Sequence, residues 1–213
     1  MNKELLLISA LIAISGLQVS SQTTPYFQQT VDHNIHVQLN DVDHELDAEI
    51  WTQYVNNSPD ELDYLWYHVW PNAYSSAKSA LAKQQFREGD LFLFYAMARD
   101  LGGMDGLDFK INGEAARWEF HNTHPDIVKV YLNTPLQPGE SIEINTPFQV
   151  RIPSGKISRL GHIGQSYQIT QWYPKPAVYD RDGWHEMPYL DQGEFYSEFG
   201  TFDVHITLPS NYT

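Results

Sequence analysis

Nine histidines and 27 carboxylates make metal ligation and acid–base work the first chemistries to look for. His33-x-x-His36 lies in a run of alternating hydrophobicity. On a strand, a spacing of three sends the two rings to opposite faces, so they cannot share an ion. His121-x-x-His124 sits in a loop beside Asp126 and could chelate only weakly; solvated surface histidines are the simpler reading. His44-Glu45 and His185-Glu186 begin like H-E-x-x-H, which needs a second histidine one helical turn on. Ala48 and Tyr189 occupy those places instead, and Pro188 interrupts the second. Asp180-Arg181-Asp182-Gly183 begins like a calcium loop, but Glu194 falls one position too far after Asp182 to serve as its distal ligand. A plain turn ahead of Trp184 explains it better. No glycine-rich phosphate loop, serine nucleophile elbow or Cys/His pair is present. The sequence therefore offers no complete catalytic set and no metal site of its own.

Binding chemistry is concentrated between Gly161 and Asp203. This stretch holds Trp172 and Tyr173, Tyr179 and Trp184, and Phe195 and Tyr196, with Pro174, Pro176 and Pro188 among them. Each proline fixes φ and removes a backbone donor, so the stretch is not an amphipathic helix. Its aromatic content is not that of a disordered linker either. It reads as an ordered, aromatic-packed surface between a strand ending near Trp172 and one starting near Tyr196, the kind of surface where binding residues gather. Trp172, Tyr173, Tyr179 and Trp184 could stack on sugar rings if they were coplanar and exposed, which makes a secreted carbohydrate- or ligand-binding module one reading. A wall between domains would instead be apolar and continuous. A structural or adhesive surface domain without a ligand is a third reading.

The elements that must position these residues are bounded by composition. The chain has 213 residues, enough for one large domain with a sizeable core. Residues 1–22 read as a secretory signal: Lys3, an apolar run over Leu5–Leu17 too short to span a membrane, then Val19-Ser20-Ser21. No later run resembles a membrane span, so residues 23–213 are expected as a secreted or periplasmic domain. The absence of cysteine excludes disulfides, thiolate catalysis and cysteine zinc sites. A net charge of −14 argues against nucleic acid or anionic lipid as a partner.

Periodicity supplies the scaffold. Val31, His33, Ile35, Val37 and Leu39 alternate on one face of a strand, and Leu46, Ala48, Ile50, Thr52 and Tyr54 do so on the next, with a turn at Asn40–Asp43. Leu62–Trp70 is apolar on both faces, as in a central strand. Ser76 can cap a short helix running through Gln85. Asp90–Leu101 fits either a helix or a buried strand. Short strands follow at Leu107–Ile111, Ala115–Phe120, Ile127–Leu132 and Ser141–Val150, with turns at Asn112-Gly113 and Gln137–Glu140. The last strand is Thr201–Leu208, with Phe202, Val204, Ile206 and Leu208 on one face. The fold class is all-β: a sandwich or saddle of short antiparallel strands with one small helical insert.

Three segments carry a resemblance: LWYHVWPNAYS (Leu65–Ser75), NTPLQPGESIEINTPFQVRIP (Asn133–Pro153) and SYQITQWYPKPAVYDRDGWH (Ser166–His185). Together with the EFYSEFGTFDVHITLPSNYT ending, they are similar to the N-terminal domain of aminopeptidase N-like zinc metallopeptidases of the gluzincin family, and most of all to secreted bacterial members. The resemblance extends from Val31 to Thr213. It implies a β-saddle packed against a thermolysin-like catalytic domain that follows it, so the chain is expected to be truncated before that domain. Zinc, its H-E-x-x-H ligands and distal glutamate, the general-base Glu and the G-x-M-E-N substrate loop would belong to that domain, where zinc-activated water attacks the peptide. No cofactor is expected in this chain, and alone it is expected to be inactive. One residue carries over. In many members a Gln or Glu at the end of the strand before the aromatic segment holds the substrate's free amine, and Gln171 occupies that place. The implied partners are the downstream catalytic domain and the N-terminus of a peptide substrate.

Overall fold

The computed structural model describes residues 26–193 and 195–212. The expected signal sequence over residues 1–22, and Glu194, lie outside them. The first strand, β1 (Thr30–Asn40), turns back into β2 (Glu45–Val55). Asn40 closes the turn: its Oδ1 accepts from the Val42 and Asp43 amides, each at 3.1 Å. Then come β3 (Leu62–His68), a 3₁₀ turn over Trp70–Tyr74, and α1 (Ala80–Glu88). The middle of the chain supplies β4 (Gly103–Asp105), β5 (Lys110–Ile111), β6 (Glu114–Ala115), β7 (Trp118–Phe120), β8 (Ile127–Leu136) and β9 (Ser141–Arg151). Beyond it lie β10 (Gly161–Ile163), β11 (Ser166–Gln168), β12 (Lys175–Pro176), β13 (Tyr179–Asp180), β14 (Gly183–Trp184) and β15 (Phe202–Thr207).

The fold is all-β with a single α-helix among the described residues. One sheet has the order β15-β1-β2-β9-β5-β6, with β4 also on β9, and a second has the order β12-β3-β8-β7. β10–β11 and β13–β14 are separate hairpins. Among the named strands every pairing is antiparallel except β1 with β15. β2 pairs along its whole length with β1 and β9, from Thr30↔Val55 to Asn40↔Glu45 and from Glu45↔Arg151 to Val55↔Ser141. A slip of one residue would turn every inward side chain out, so the alternation itself fixes this register. Val31, His33, Ile35, Val37 and Leu39 are buried and their neighbours are not. The inner faces meet in one core, with Ile35, Ile50, Tyr54, Ile144 and Val150 on one side and Leu65, Tyr67, Val128 and Val130 on the other. β3 is central in its sheet, as its two apolar faces require.

Two expectations about elements are corrected. The helix begins later than Ser76: Ser76 Oγ accepts from the Lys78 amide in a local turn, and Ser79 caps the helix by accepting from Ala82 N at 3.1 Å. Gly89, at φ 93°, ends it in the left-handed conformation that glycine tolerates best. Asp90–Leu101 is neither buried strand nor α-helix. Asp90 Oδ1 accepts from the Phe92 amide, the Tyr95 amide donates to the Leu91 carbonyl in an isolated turn, and Ala98–Asp100 winds as a 3₁₀ turn. A second core, built on Trp70, Tyr74, Leu81, Leu93 and Tyr189, fixes α1 and the 3₁₀ turn against the sandwich.

The last strand lies where its pattern places it, but its apolar face is uncovered. Phe202, Val204 and Ile206 stand beside His33, Ile35 and Val37 of β1, yet all are exposed. They continue the inner face of the large sheet at its edge, where the smaller sheet does not cover them. Asp32 anchors the start of this strand: its Oδ1 accepts from Thr201 N and Oγ1, both at 2.8 Å, and these bonds hold its carboxyl below the ordinary range. Gly200 permits the approach, because a Cβ there would fall 1.6 Å from the Val31 carbonyl oxygen. Gly200→Ala is therefore expected to release β15, at a loss of about 1–3 kcal/mol. In hydrogen exchange, Phe202–Thr207 should lose protection while β2 and β9 keep theirs; protection retained over Phe202–Thr207 would show that the close approach is not required.

Candidate functional site

The antiparallel pairs Lys175↔His68 and Pro176↔Tyr67 lay β12 against the end of β3. This brings the Trp-Tyr-Pro-Lys-Pro segment over the 3₁₀ turn that starts at Trp70. Lys175 is only 6% exposed. Its Nζ donates to Gln171 Oε1 at 2.6 Å and to Ser197 Oγ at 3.0 Å, and lies 4.1 Å from the centre of the Trp70 ring. No carboxylate pairs with it among the described residues. Burial disfavours the charged form and brings the amine down to about 8.

Two imidazoles share this interior. His33 Nδ1 lies 3.0 Å from Thr52 Oγ1, and burial, then the charge of Lys175, holds the ring at about 4. His68 is stacked on Trp70 and is held at about 3 by the same two causes in the same order. Its Nε2 accepts from the Met187 amide at 3.2 Å, which leaves the ring proton on Nδ1, a buried atom with no partner among the described residues. The interior therefore tolerates one positive charge, on Lys175, and keeps both histidines neutral.

Gln171 sits at the rim of this cluster, half-buried. It does not stand at a strand end near Trp172, because pairing stops at Gln168, where β11 runs out of partner on β10. Gln171 lies instead in the irregular link before β12, with φ 53°. Left-handed backbone in a residue other than glycine costs roughly 1–3 kcal/mol and persists only where its surroundings impose it. Its side chain folds back over the head of Lys175, four residues on.

The aromatic segment is a buttress. Trp172, Tyr173, Tyr179 and Trp184 are half-buried against the main core. The rings of Trp172 and Tyr173 meet at 72°, and those of Tyr179 and Trp184 at 52°. They do not form the coplanar, exposed platform that sugar stacking needs. Beside them, Asp180-Arg181-Asp182-Gly183 is a hairpin turn: Asp180 Oδ1 accepts from the Asp182 amide at 2.9 Å and lies 2.8 Å from His185 Nε2, while Oδ2 accepts from Tyr196 OH at 3.0 Å. Both oxygens are thus engaged within the protein.

Of the remaining histidine candidates, His121 and His124 stack with ring centres 5.0 Å apart, while His33 and His36 are kept apart. His33 faces the core and His36 the opposite side, where it meets Trp51 and His205. His121 Nδ1 accepts from the Thr123 and His124 amides, both at 3.2 Å, and so closes a turn. Among the described residues no three His, Cys, Asp or Glu side chains come close enough to hold a metal ion. None of the helices there is long and apolar enough to cross a membrane.

An apolar groove of about 530 Å³ adjoins the aromatic segment, lined by Val37, Leu39, Tyr167, Trp172, Ile206 and Leu208 among others. Ile206 of the exposed row on β15 forms part of its wall. The sequence did not single out Lys175, Trp70 or Ser197. The one local signal was a lysine set between two prolines inside an aromatic run.

No family model matches the chain, and no curated protein matches it. Solved structures do show similarity. An M1 zinc metallopeptidase from Deinococcus radiodurans is 14% identical, over 59% of this chain and 21% of that one, with a TM-score of 0.37. A two-domain M1 zinc metallopeptidase bound to L-arginine is 15% identical, over 86% and 33% of the two chains, with a TM-score of 0.45. Native leukotriene A4 hydrolase from Saccharomyces cerevisiae is 12% identical, over 63% and 17%, with a TM-score of 0.34. The chain spans a third or less of the length of each.

The buried amine makes stability depend on pH with a definite sign. Between about 8 and 10.5 the unfolded chain holds the Lys175 proton more tightly than the folded one, so stability rises with pH across that window. Below it, the destabilising contribution is present in full. Lys175→Met is expected to remove a rise of about 2 kcal/mol between about pH 7.5 and 9.5. Urea unfolding of the two chains across that range checks it; identical slopes would place the ammonium in contact with water.

Proposed function

We propose that this chain is the non-catalytic N-terminal β-domain of a secreted zinc aminopeptidase-type protein, in which it forms one wall of the substrate cleft. One observation carries the reading. Leu65–Ser75 and Ser166–His185, far apart in sequence and both of the pattern that resembles such domains, converge where β12 pairs with β3 and Lys175 bonds Gln171 over Trp70. The apolar groove and the exposed face of β15 support it, because they suit a neighbouring domain better than water. In this reading the metal and the chemistry of hydrolysis belong to a following domain. Gln171 is assigned to the amino-terminal end of the peptide.

The intact mass and zinc content of the protein purified from its natural source test this directly. A chain well beyond 213 residues with one bound zinc is expected; a zinc-free protein of this length would remove the reading. In the longer protein, Gln171→Ala is expected to lower kcat/KM on peptides with a free N-terminus by about tenfold or more. Unchanged efficiency would withdraw the role given to Gln171.

A further inference from the structure

We propose that this chain pairs with a second copy of itself through the free edge of β15, the two strands running antiparallel about a two-fold axis at Val204. This contact lies in the plane of the large sheet and is separate from the peptide contact assigned to Gln171.

β15 ends its sheet, with β1 on one side and, among the described residues, no strand on the other. Its pairing with β1 decides which backbone groups are left over. His33 stands beside Phe202 in the parallel ladder, and the His33 amide donates to the Thr201 carbonyl at 2.8 Å. That phase turns the backbone groups of Asp203 and His205 toward β1, and those of Phe202, Val204 and Ile206 toward the open edge. Edge strands are commonly guarded by a lysine, a proline or a bulge. Phe202–Thr207 has none of these, and its register with β1 is unbroken from His33↔Phe202 to Gln38↔Thr207. The side chains then select the register of a partner. An axis at Asp203 would set that carboxylate against its own copy, and an axis at His205 would set two imidazoles together; like groups directly opposite oppose pairing. An axis at Val204 sets Asp203 opposite the copy's His205. It also joins the outward residues as hydrogen-bonded pairs, Phe202 with the copy's Ile206 and Val204 with the copy's Val204, and leaves acid and imidazole in the closer, non-bonded pairs. Phe202, Val204 and Ile206, all exposed, would merge with those of the copy into one apolar strip. On the other face His205 Nε2 already lies 3.3 Å from Asp203 Oδ1 of its own chain, so acid and imidazole would alternate around the axis. A strand complementary to its own reverse is what an isologous contact requires. One strand pair is a small interface, so the dimer is expected to be weak, with a Kd above about 1 μM.

Sedimentation of the purified chain tests this, over a concentration series reaching about 1 mM and at about 0.15 M salt, where repulsion between chains of net charge −14 is screened. A monomer–dimer equilibrium is expected; a monomer throughout overturns the proposal. Hydrogen exchange read by NMR reports the register. As concentration rises, the Phe202, Val204 and Ile206 amides should gain protection, while those of Asp203 and His205, already bonded to β1, should not change. A Val204 amide protected equally at every dilution would mean that the edge is filled within the chain, which also overturns it. Val204→Pro removes the outward N–H at the axis and no bond to β1, and should weaken the dimer at least about tenfold. A dimer that survives this change lies on another surface and sinks the idea. Asp203→Arg and His205→Asp each lose the complement across the axis and should stay monomeric on their own. Mixed together they should dimerise, because each supplies the partner that the other lacks. Single variants that dimerise as the unaltered chain does, or a mixture that stays monomeric, would refute the Val204 register. The cleft-wall reading stands or falls on mass and zinc content, so the two fail separately.

Discussion

An ammonium taken out of water without a carboxylate partner must be satisfied by neutral acceptors, and the neighbourhood of Lys175 is arranged around that requirement. Desolvating a charge is among the largest penalties a fold can carry. Here the offset comes from an amide oxygen, a hydroxyl and an indole face, which arrive from three separate parts of the chain. The consequences spread outward. β12 is held on β3, the left-handed backbone at Gln171 is kept in place, the segment around Ser197 is tied back, and His33 and His68 are kept neutral. A carboxylate at position 171 would have met the charge more simply. An amide leaves the net positive charge in place and passes part of its field through to the surface.

The parts of the fold that were legible in sequence are those where side-chain period alone decides the outcome. β1 and β2 alternate, and their inward residues are the ones expected, with Ala48 only half-buried. The helix start was misplaced because Ser76 and Ser79 are chemically equivalent caps, and only the turn closed by Ser76 selects the second. Asp90–Leu101 gives only Leu93 fully to the second core and leaves Tyr95 and Met97 exposed, so neither the stripe of a helix nor the alternation of a strand is completed. For β15 the pattern gave the right strand and the right apolar face. It could not say that the opposing sheet ends short of it.

The site was legible in a different way. Gln171 came from the resemblance of its surroundings, and nothing in local pattern distinguished it from Gln165 or Gln168. Lys175 was invisible because its significance is tertiary: a lysine between prolines is ordinary until strand pairing seats it over an indole. The four aromatic residues were visible as a cluster, but their function depended on ring angles, which sequence does not carry. At 72° and 52° they pack against one another and the core.

The apolar groove, the uncovered face of β15 and the rim that carries Gln171 are linked through Trp172, which follows Gln171 in the chain, lines the groove with Ile206 and Leu208, and packs against Phe148 of the core. A domain docked against the groove would press on Trp172, and through it on the strained backbone at Gln171. That couples the surface suited to a neighbour with the residue assigned to the peptide.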